Sequence, residues 1–254
     1  MASARLAPFG DRFKAHHAEY DDIAGALAKA GADRADGVLL DLGVSSLQID
    51  EADRGFSYAQ DAPLDMRMNP EDDVTAADLL READERELAR IFREYGEERF
   101  APRIAKAIVR RRATSPVERS SDLVELVRGA IPAAARATGG NPAKRTFQAL
   151  RIEVNGELDS LRRAIPAALD SLAVGGRIVV MSYQSLEDRV VKRALASGAH
   201  PDVPPGLPVV PDSMLPWLRL LTRGGEVAPE DEVAVNPRAA SVRVRAAERL
   251  SVAA

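Results

Sequence analysis

The amino-acid sequence predicts an α/β fold in which a sheet of buried, largely parallel strands is interrupted by a helical insertion. Three observations carry this. Gly37-Val38-Leu39-Leu40-Asp41-Leu42-Gly43 is a compact apolar run closed by Asp and Gly, the pattern of a parallel strand whose C-terminal end opens into a loop. From Glu51 onward the composition turns to charged, helix-favouring sequence. After the breaker cluster Thr138-Gly139-Gly140-Asn141-Pro142, a helical stripe, a Gly-Gly pair and the apolar run Arg177 to Tyr183 follow in order, which is an α/β repeat unit.

Taken in order, Arg12 to Ala18 is short and open to reading as a strand, and Asp21 to Ala30 as a helix ending near Gly31. The run Gly37 to Gly43 is the first buried strand. Thr75 to Glu94 sets Leu79, Leu80, Leu88, Ile91 and Phe92 among many charges and forms a helical layer. Further helices are predicted over Pro102 to Arg112 and Asp122 to Ala130, with a domain boundary at the breaker cluster. Beyond it Phe147, Leu150, Val154, Leu158, Leu161, Ile165, Leu169 and Leu172 recur at spacings of 3 and 4, one continuous helical stripe that Pro166 is placed to kink. Gly175-Gly176 stops that helix, and Arg177 to Tyr183 is the next buried strand. Ser185 and Asp188 have capping-box spacing for a helix through Leu186 to Ala194. Gly198 to Pro216 holds six prolines and reads as an irregular excursion. Ser241 to Ala246 alternates small or apolar with basic residues, as an edge strand does.

Composition bounds the function. The chain has 254 residues, 46% of them hydrophobic, which suits one globular unit or a domain with a sizeable insertion. A formal charge of −4 argues against gripping nucleic acid through the overall field, so a nucleic-acid site must be a local patch. The absence of cysteine excludes disulfides, thiolate nucleophiles and Cys-ligated metals. His16, His17 and His200 form no His-x-x-x-His set, which leaves a metal-dependent hydrolase without ligands. No signal-peptide-like stretch and no run of 18 apolar residues occurs, so no membrane role is expected and the cytoplasm is the expected location.

Four segments can carry chemistry. In Asp41-Leu42-Gly43-Val44-Ser45-Ser46-Leu47-Gln48 a carboxylate at a strand tip precedes a Gly and two hydroxyls, where α/β sheets place ligands; a strand end with Ser45 or Ser46 capping a helix explains the same residues. Gln148, Arg151 and Asn155, at i, i+3 and i+7, put amide and guanidinium groups on one helical face, either for a polar ligand or simply solvated. Ser182-Tyr183-Gln184-Ser185 follows the second strand and, in a parallel sheet, shares a rim with Asp41; an ordinary cap accounts for Ser185 and Asp188 but not for Tyr183 or Gln184. Arg99, Arg103, Lys106, Arg110, Arg111 and Arg112 put six positive charges into 14 residues without an acid, and the first four make a stripe for phosphates at spacings of 4, 3 and 4. A solvated helix paired with the acidic stretch Glu71 to Glu87 is the alternative.

These segments closely resemble the ribosomal RNA small subunit methyltransferase H family, which methylates the exocyclic N4 of a cytidine in the decoding region of 16S rRNA. The resemblance runs through seven ordered blocks: Leu40-Asp41-Leu42-Gly43-Val44-Ser45-Ser46, Arg54-Gly55-Phe56-Ser57, Pro63-Leu64-Asp65-Met66-Arg67-Met68, Tyr95-Gly96-Glu97-Glu98-Arg99-Phe100, Arg145-Thr146-Phe147-Gln148-Ala149, Ser185-Leu186-Glu187-Asp188-Arg189 and Asn236-Pro237-Arg238. It implies a Rossmann-like S-adenosylmethionine methyltransferase sheet with an inserted helical domain. The discontinuous sheet domain is then 1–50 with 141–254, and the insertion 51–140. It further implies that Tyr20, Asp41 and Gln48 contact S-adenosyl-L-methionine and that the partner is 16S rRNA in the small ribosomal subunit, a homodimer being an assembly it allows. By position, Ser45, Ser46 and Tyr183 are the candidates beside the reacting base, and Arg99, Arg103, Lys106 and Arg110 the candidates for rRNA phosphates. Two departures stand out. Gln184 occupies a position where the family commonly has His. The family's opening strand, its Gly-rich loop and the acidic residue on its next strand are not found ahead of Met1-Ala2-Ser3, so the sheet is expected to lack its first strands and to aggregate through exposed edges. A catalytically inactive RNA- or partner-binding remnant is the competing expectation.

Overall fold

The computed structural model describes residues 2–45, 48, 51–136, 141–200, 211 and 214–251. They form a mixed α/β structure that separates into two compact units, residues 1–43 with 158–254, and residues 44–157.

The first unit is built on a four-stranded sheet of β1 (Ala35–Asp41), β2 (Leu172–Ser182), β3 (Leu218–Leu220) and β4 (Arg243–Arg249), in the order β1-β2-β4-β3. β1 and β2 run parallel, with Val38 beside Ile178 and Leu40 beside Val180; the other pairings are antiparallel. Alternate residues of the central strands point into a core that Ile165, Leu169, Val191 and Leu195 complete from the Glu157–Ser171 and Ser185–Ala199 helices. Each fully buried aliphatic chain there contributes about 1.5–3 kcal/mol. The Ile23–Ala30 helix starts at Asp22, whose side chain accepts from Gly25 N at 3.2 Å, and stops at left-handed Gly31.

Several expectations are corrected here. Arg12 to Ala18 is no strand: a 3-10 turn spans Ala7–Arg12, and Phe13 to Ala18 run on without strand pairing and with none of them buried. The stripe from Phe147 to Leu172 is two helices, Lys144–Val154 and Glu157–Ser171, broken at Asn155-Gly156 where Gly156 has φ +55°. Leu172 already belongs to β2. Gly175-Gly176 therefore does not end a helix but lies in an irregularity of β2, where Ala35 pairs Leu172 and Gly37 pairs Arg177. β4, expected at an edge, lies between β2 and β3, and two of its three arginines, Arg245 and Arg249, are held by the protein rather than by water. Arg245 is paired with Asp188, and buried Arg249 donates to the carbonyls of Leu169, Asp170 and Leu172 at 2.8–2.9 Å, at the C-terminal end of the Glu157–Ser171 helix.

The second unit is helical: Ala76–Glu82, Glu85–Glu94, Ala101–Arg112, Ser120–Ala130, Ala133–Arg136 and Lys144–Val154. The expected layer from Thr75 to Glu94 divides at Ala83-Asp84, because Asp84 caps a new helix by accepting from Glu87 N at 2.8 Å. The core gathers Leu80, Leu88, Ile91, Phe92, Ile104, Ile108, Leu123 and Val127. Phe147, Ala149 and Leu150 pack into it, so the Lys144–Val154 helix lies in this unit although the sequence reading joined it to the sheet. Gly96 lets that helix approach closely, since a Cβ there would meet the carbonyls of Phe92 and Arg145 at 2.7 Å.

Candidate functional site

Parallel pairing brings the C-terminal ends of β1 and β2 side by side, with Asp41 opposite Met181 and Leu42 N donating to Met181 O at 3.0 Å. Asp41 is exposed, and Tyr183, just past the end of β2, donates its hydroxyl to Asp41 Oδ1 at 3.0 Å. The two loops predicted to share a rim do share it. Burial, reinforced by the hydrogen bond and charge of Asp41 and by the charge of Glu187, pushes the Tyr183 phenol up to about 12. At neutral pH it is a donor, not a base.

Glu187, which sequence reasoning missed, organises the turn. It is buried, and its carboxylate accepts from Tyr183 N at 2.9 Å, Gln184 N at 3.2 Å and Gln184 Nε2 at 3.0 Å. The cap therefore uses Gln184 and Glu187, one position before the expected pair in each case, and the helix begins at Ser185. Asp188 is freed to bind Arg245 at 2.6 and 2.9 Å. The signal was present, since Gln184 and Glu187 have the same i, i+3 spacing. A Cβ on Gly43 would stand 3.9 Å from Glu187 Oε1, so the turn after β1 passes beside the same carboxylate. Ser182 Oγ and Gln184 Oε1 lie buried in this region with no hydrogen-bond partner among the described residues.

The other predicted positions divide. Tyr20 lies on the Glu19–Asp22 turn, 39% exposed; Asp21 ties that turn to Arg163 at 2.7 Å. Ser45 and Gln48 bond each other: Gln48 Oε1 accepts from Ser45 N at 2.9 Å and Ser45 Oγ at 3.1 Å. They belong to the 44–157 unit. Ser46 lies outside the described residues.

Gln148, Arg151 and Asn155 are spent inside their own unit. Gln148 Nε2 donates to Tyr95 O at 3.0 Å, and Arg151 holds Glu157 at 2.8 and 2.9 Å. Asn155 donates to Met66 O at 2.8 Å and accepts from Met68 N at 2.6 Å, locking the Pro63-to-Met68 motif. Arg54 joins the lock by donating to Arg67 O and Met68 O, while Gly55, at φ +69°, admits no side chain because a Cβ would lie 2.2 Å from Pro63 O.

In the basic segment, Arg112 caps the carbonyls of Leu80 and Ala83 at 2.7 Å and Arg111 lies 3.7 Å from Asp122. Arg99 precedes the helix instead of lying on it and stacks over Phe100 at 4.9 Å. Arg103, Lys106 and Arg110 remain exposed on one face, with no ion pair among the described residues. Pairing with the acidic Glu71-to-Glu87 stretch, the bland alternative, is thus not what those three do.

The chain belongs to the MraW methylase family, whose profile matches residues 1–250. A protein of Beutenbergia cavernae named ribosomal RNA small subunit methyltransferase H is 65% identical over 250 residues, covering 98% of this chain and 75% of the relative. Similarly named proteins of Saccharopolyspora erythraea and Nocardia farcinica are 62% and 60% identical, each over 100% of this chain and 77% and 79% of the relative. Among the described residues no helix is long and apolar enough to cross a membrane, and no group of His, Cys, Asp and Glu is gathered to hold a metal.

Proposed function

We propose that this chain methylates ribosomal RNA in the cytoplasm, transferring the methyl group of S-adenosyl-L-methionine to the N4 amine of a cytidine in the decoding region of 16S rRNA. One observation carries the reading: Asp41 and Tyr183 meet at the tips of two adjacent parallel strands, where α/β sheets hold nucleoside ligands. The names of the relatives support the RNA substrate. In this reading the four-stranded sheet is the core of a Rossmann-like domain and the helical unit its insertion.

The residues present fit such a donor. Asp41 spends one oxygen on Tyr183, and a carboxylate has about four lone-pair sites, so capacity remains for ribose hydroxyls or an adenine amine. Asp41, Tyr20 and Gln48 are the proposed contacts to it. When bound, S-adenosyl-L-methionine supplies an electrophilic methyl group. The rest falls to the protein, because the N4 lone pair is delocalised into the cytosine ring and the amine must be held in line. Positioning of that kind supplies much of such catalysis. Tyr183, held protonated, fixes the Asp41 carboxylate, and Tyr183, Ser45 and Ser46 are the proposed candidates beside the base. The cytidine must leave its stack to enter.

Calorimetric titration with S-adenosyl-L-methionine, together with methyl transfer to small ribosomal subunits lacking the modification, tests this. Asp41→Ala should weaken donor binding at least tenfold, and nuclease digestion of the product should release N4-methylcytidine. Unchanged donor affinity in Asp41→Ala would remove the strand tips from the site.

A further inference from the structure

The Ala101–Arg112 and Ser120–Ala130 helices flank an open groove of about 420 Å³, a volume suited to one small organic ligand. Its two walls differ in chemistry. Arg103, Lys106 and Arg110 form one, three exposed cations at spacings of 3 and 4. The other presents Glu125, Leu126 and Gly129. Arg111 and Asp122, 3.7 Å apart, neutralise each other between the walls, and Asp122 also accepts from Arg119 N at 3.2 Å. That leaves Glu125 as the acid in the groove with no ion pair among the described residues.

A plain phosphate site would not set a carboxylate opposite its cations. An acidic peptide would be repelled by Glu125. A nucleotide satisfies both walls, with its phosphate on the arginines, its apolar base face on Leu126 and the Gly129 backbone, and a hydrogen-bond donor on its edge for the carboxylate. Of the RNA bases, those carrying an exocyclic amine offer that donor and uracil lacks one. We propose that this groove holds one unpaired nucleotide of the bound RNA and selects a base with an exocyclic amino group through Glu125. The inference rests on the reading of the chain as RNA-directed.

Gly129 supplies a clean probe. A Cβ added there meets nothing within 4 Å, so Gly129→Leu starts from open space on the groove's lining and gives the helix a better former. The experiment measures fluorescence anisotropy of 3′-labelled hexacytidylate and hexauridylate with the full chain, at two salt concentrations. The expected results are that hexacytidylate binds about fivefold tighter or more, that Glu125→Ala abolishes this preference without changing the salt slope, and that Gly129→Leu weakens both ligands while melting no earlier than the parent. Equal affinity for the two oligonucleotides, a preference that survives Glu125→Ala, or undiminished binding by Gly129→Leu overturns the proposal. Competition by polyglutamate as strong as by hexacytidylate also overturns it, marking a general anion surface. Calorimetry with S-adenosyl-L-methionine on the same variants separates the outcomes: retained donor binding with failed base selection refutes the groove alone, while lost donor binding in the parent chain refutes the wider reading.

Discussion

The hydroxyl of Tyr183 donates to Asp41 Oδ1 at 3.0 Å, across 142 residues of chain and between the ends of two neighbouring strands. Its phenol, ordinarily at 10.0, is raised to about 12 by burial first and then by the two carboxylates. A raised folded value means that the native state keeps its proton where the unfolded chain gives it up. The stabilisation is therefore complete below pH 10 and is lost as pH climbs through 12. The alkaline absorbance titration of the tyrosines should show a late step near 12 that Tyr183→Phe removes. A difference spectrum centred near 10 would mean that Tyr183 is neither buried nor held by Asp41 as described.

Glu187 closes the same turn from beneath. Glu187→Ala leaves two backbone N–H groups and the Gln184 amide without their acceptor in a buried place, and should cost about 2 kcal/mol in urea unfolding. Glu187→Gln keeps an acceptor and should cost less than half as much. If both variants unfold at the parental midpoint, the turn does not depend on this carboxylate.

The strand tips were legible because buried parallel strands leave a local mark, an apolar run closed by Asp41 and Gly43 or by Ser182 and Tyr183. What escaped was decided by partners far away in the chain. Arg249 and Glu187 look like surface charges in sequence, yet both are buried, and the carbonyls that hold Arg249 lie about 80 residues earlier. Asn155-Gly156 escaped because Leu158 resumes the apolar spacing beyond the break, so periodicity bridges a turn that left-handed Gly156 makes. The polar face of Gln148, Arg151 and Asn155 was misjudged for the same reason as Arg249, since its acceptors and donors come from Tyr95, Met66 and Met68.

That reassignment is testable. Arg151 and Glu157 form a bidentate pair whose side chains are only 19% and 8% exposed. Arg151→Met takes both of these hydrogen bonds from the Glu157 carboxylate and should cost about 3 kcal/mol, the low end for a buried pair. Adding Glu157→Gln should recover part of the loss. A ligand-binding face would behave oppositely, with stability unchanged and RNA affinity reduced.

Arg103, Lys106 and Arg110 should act on RNA through charge. Reversing one of them, as in Arg103→Glu, should weaken binding to every sequence and lower the slope of log affinity against log salt by about 1. Urea unfolding should move by less than about 0.5 kcal/mol, as for other exposed substitutions. An unchanged salt slope would take this face out of the RNA site.

β1 lies at one end of the sheet among the described residues and pairs there with β2 alone. Leu39, in the middle of that strand, is 65% exposed, and Val174 is 62% exposed. An open strand edge beside uncovered aliphatic side chains is a template for pairing with a further strand. The chain should therefore self-associate as its concentration rises. Leu39→Lys puts a charge at the centre of the edge and forfeits about 1.5–3 kcal/mol of burial per interface, enough to weaken association about tenfold or more. Folding should be spared, because the side chain is already in water. Sedimentation equilibrium across a hundredfold range of concentration reads both effects, and a parent chain that stays monomeric throughout would show that this edge does not recruit a partner strand.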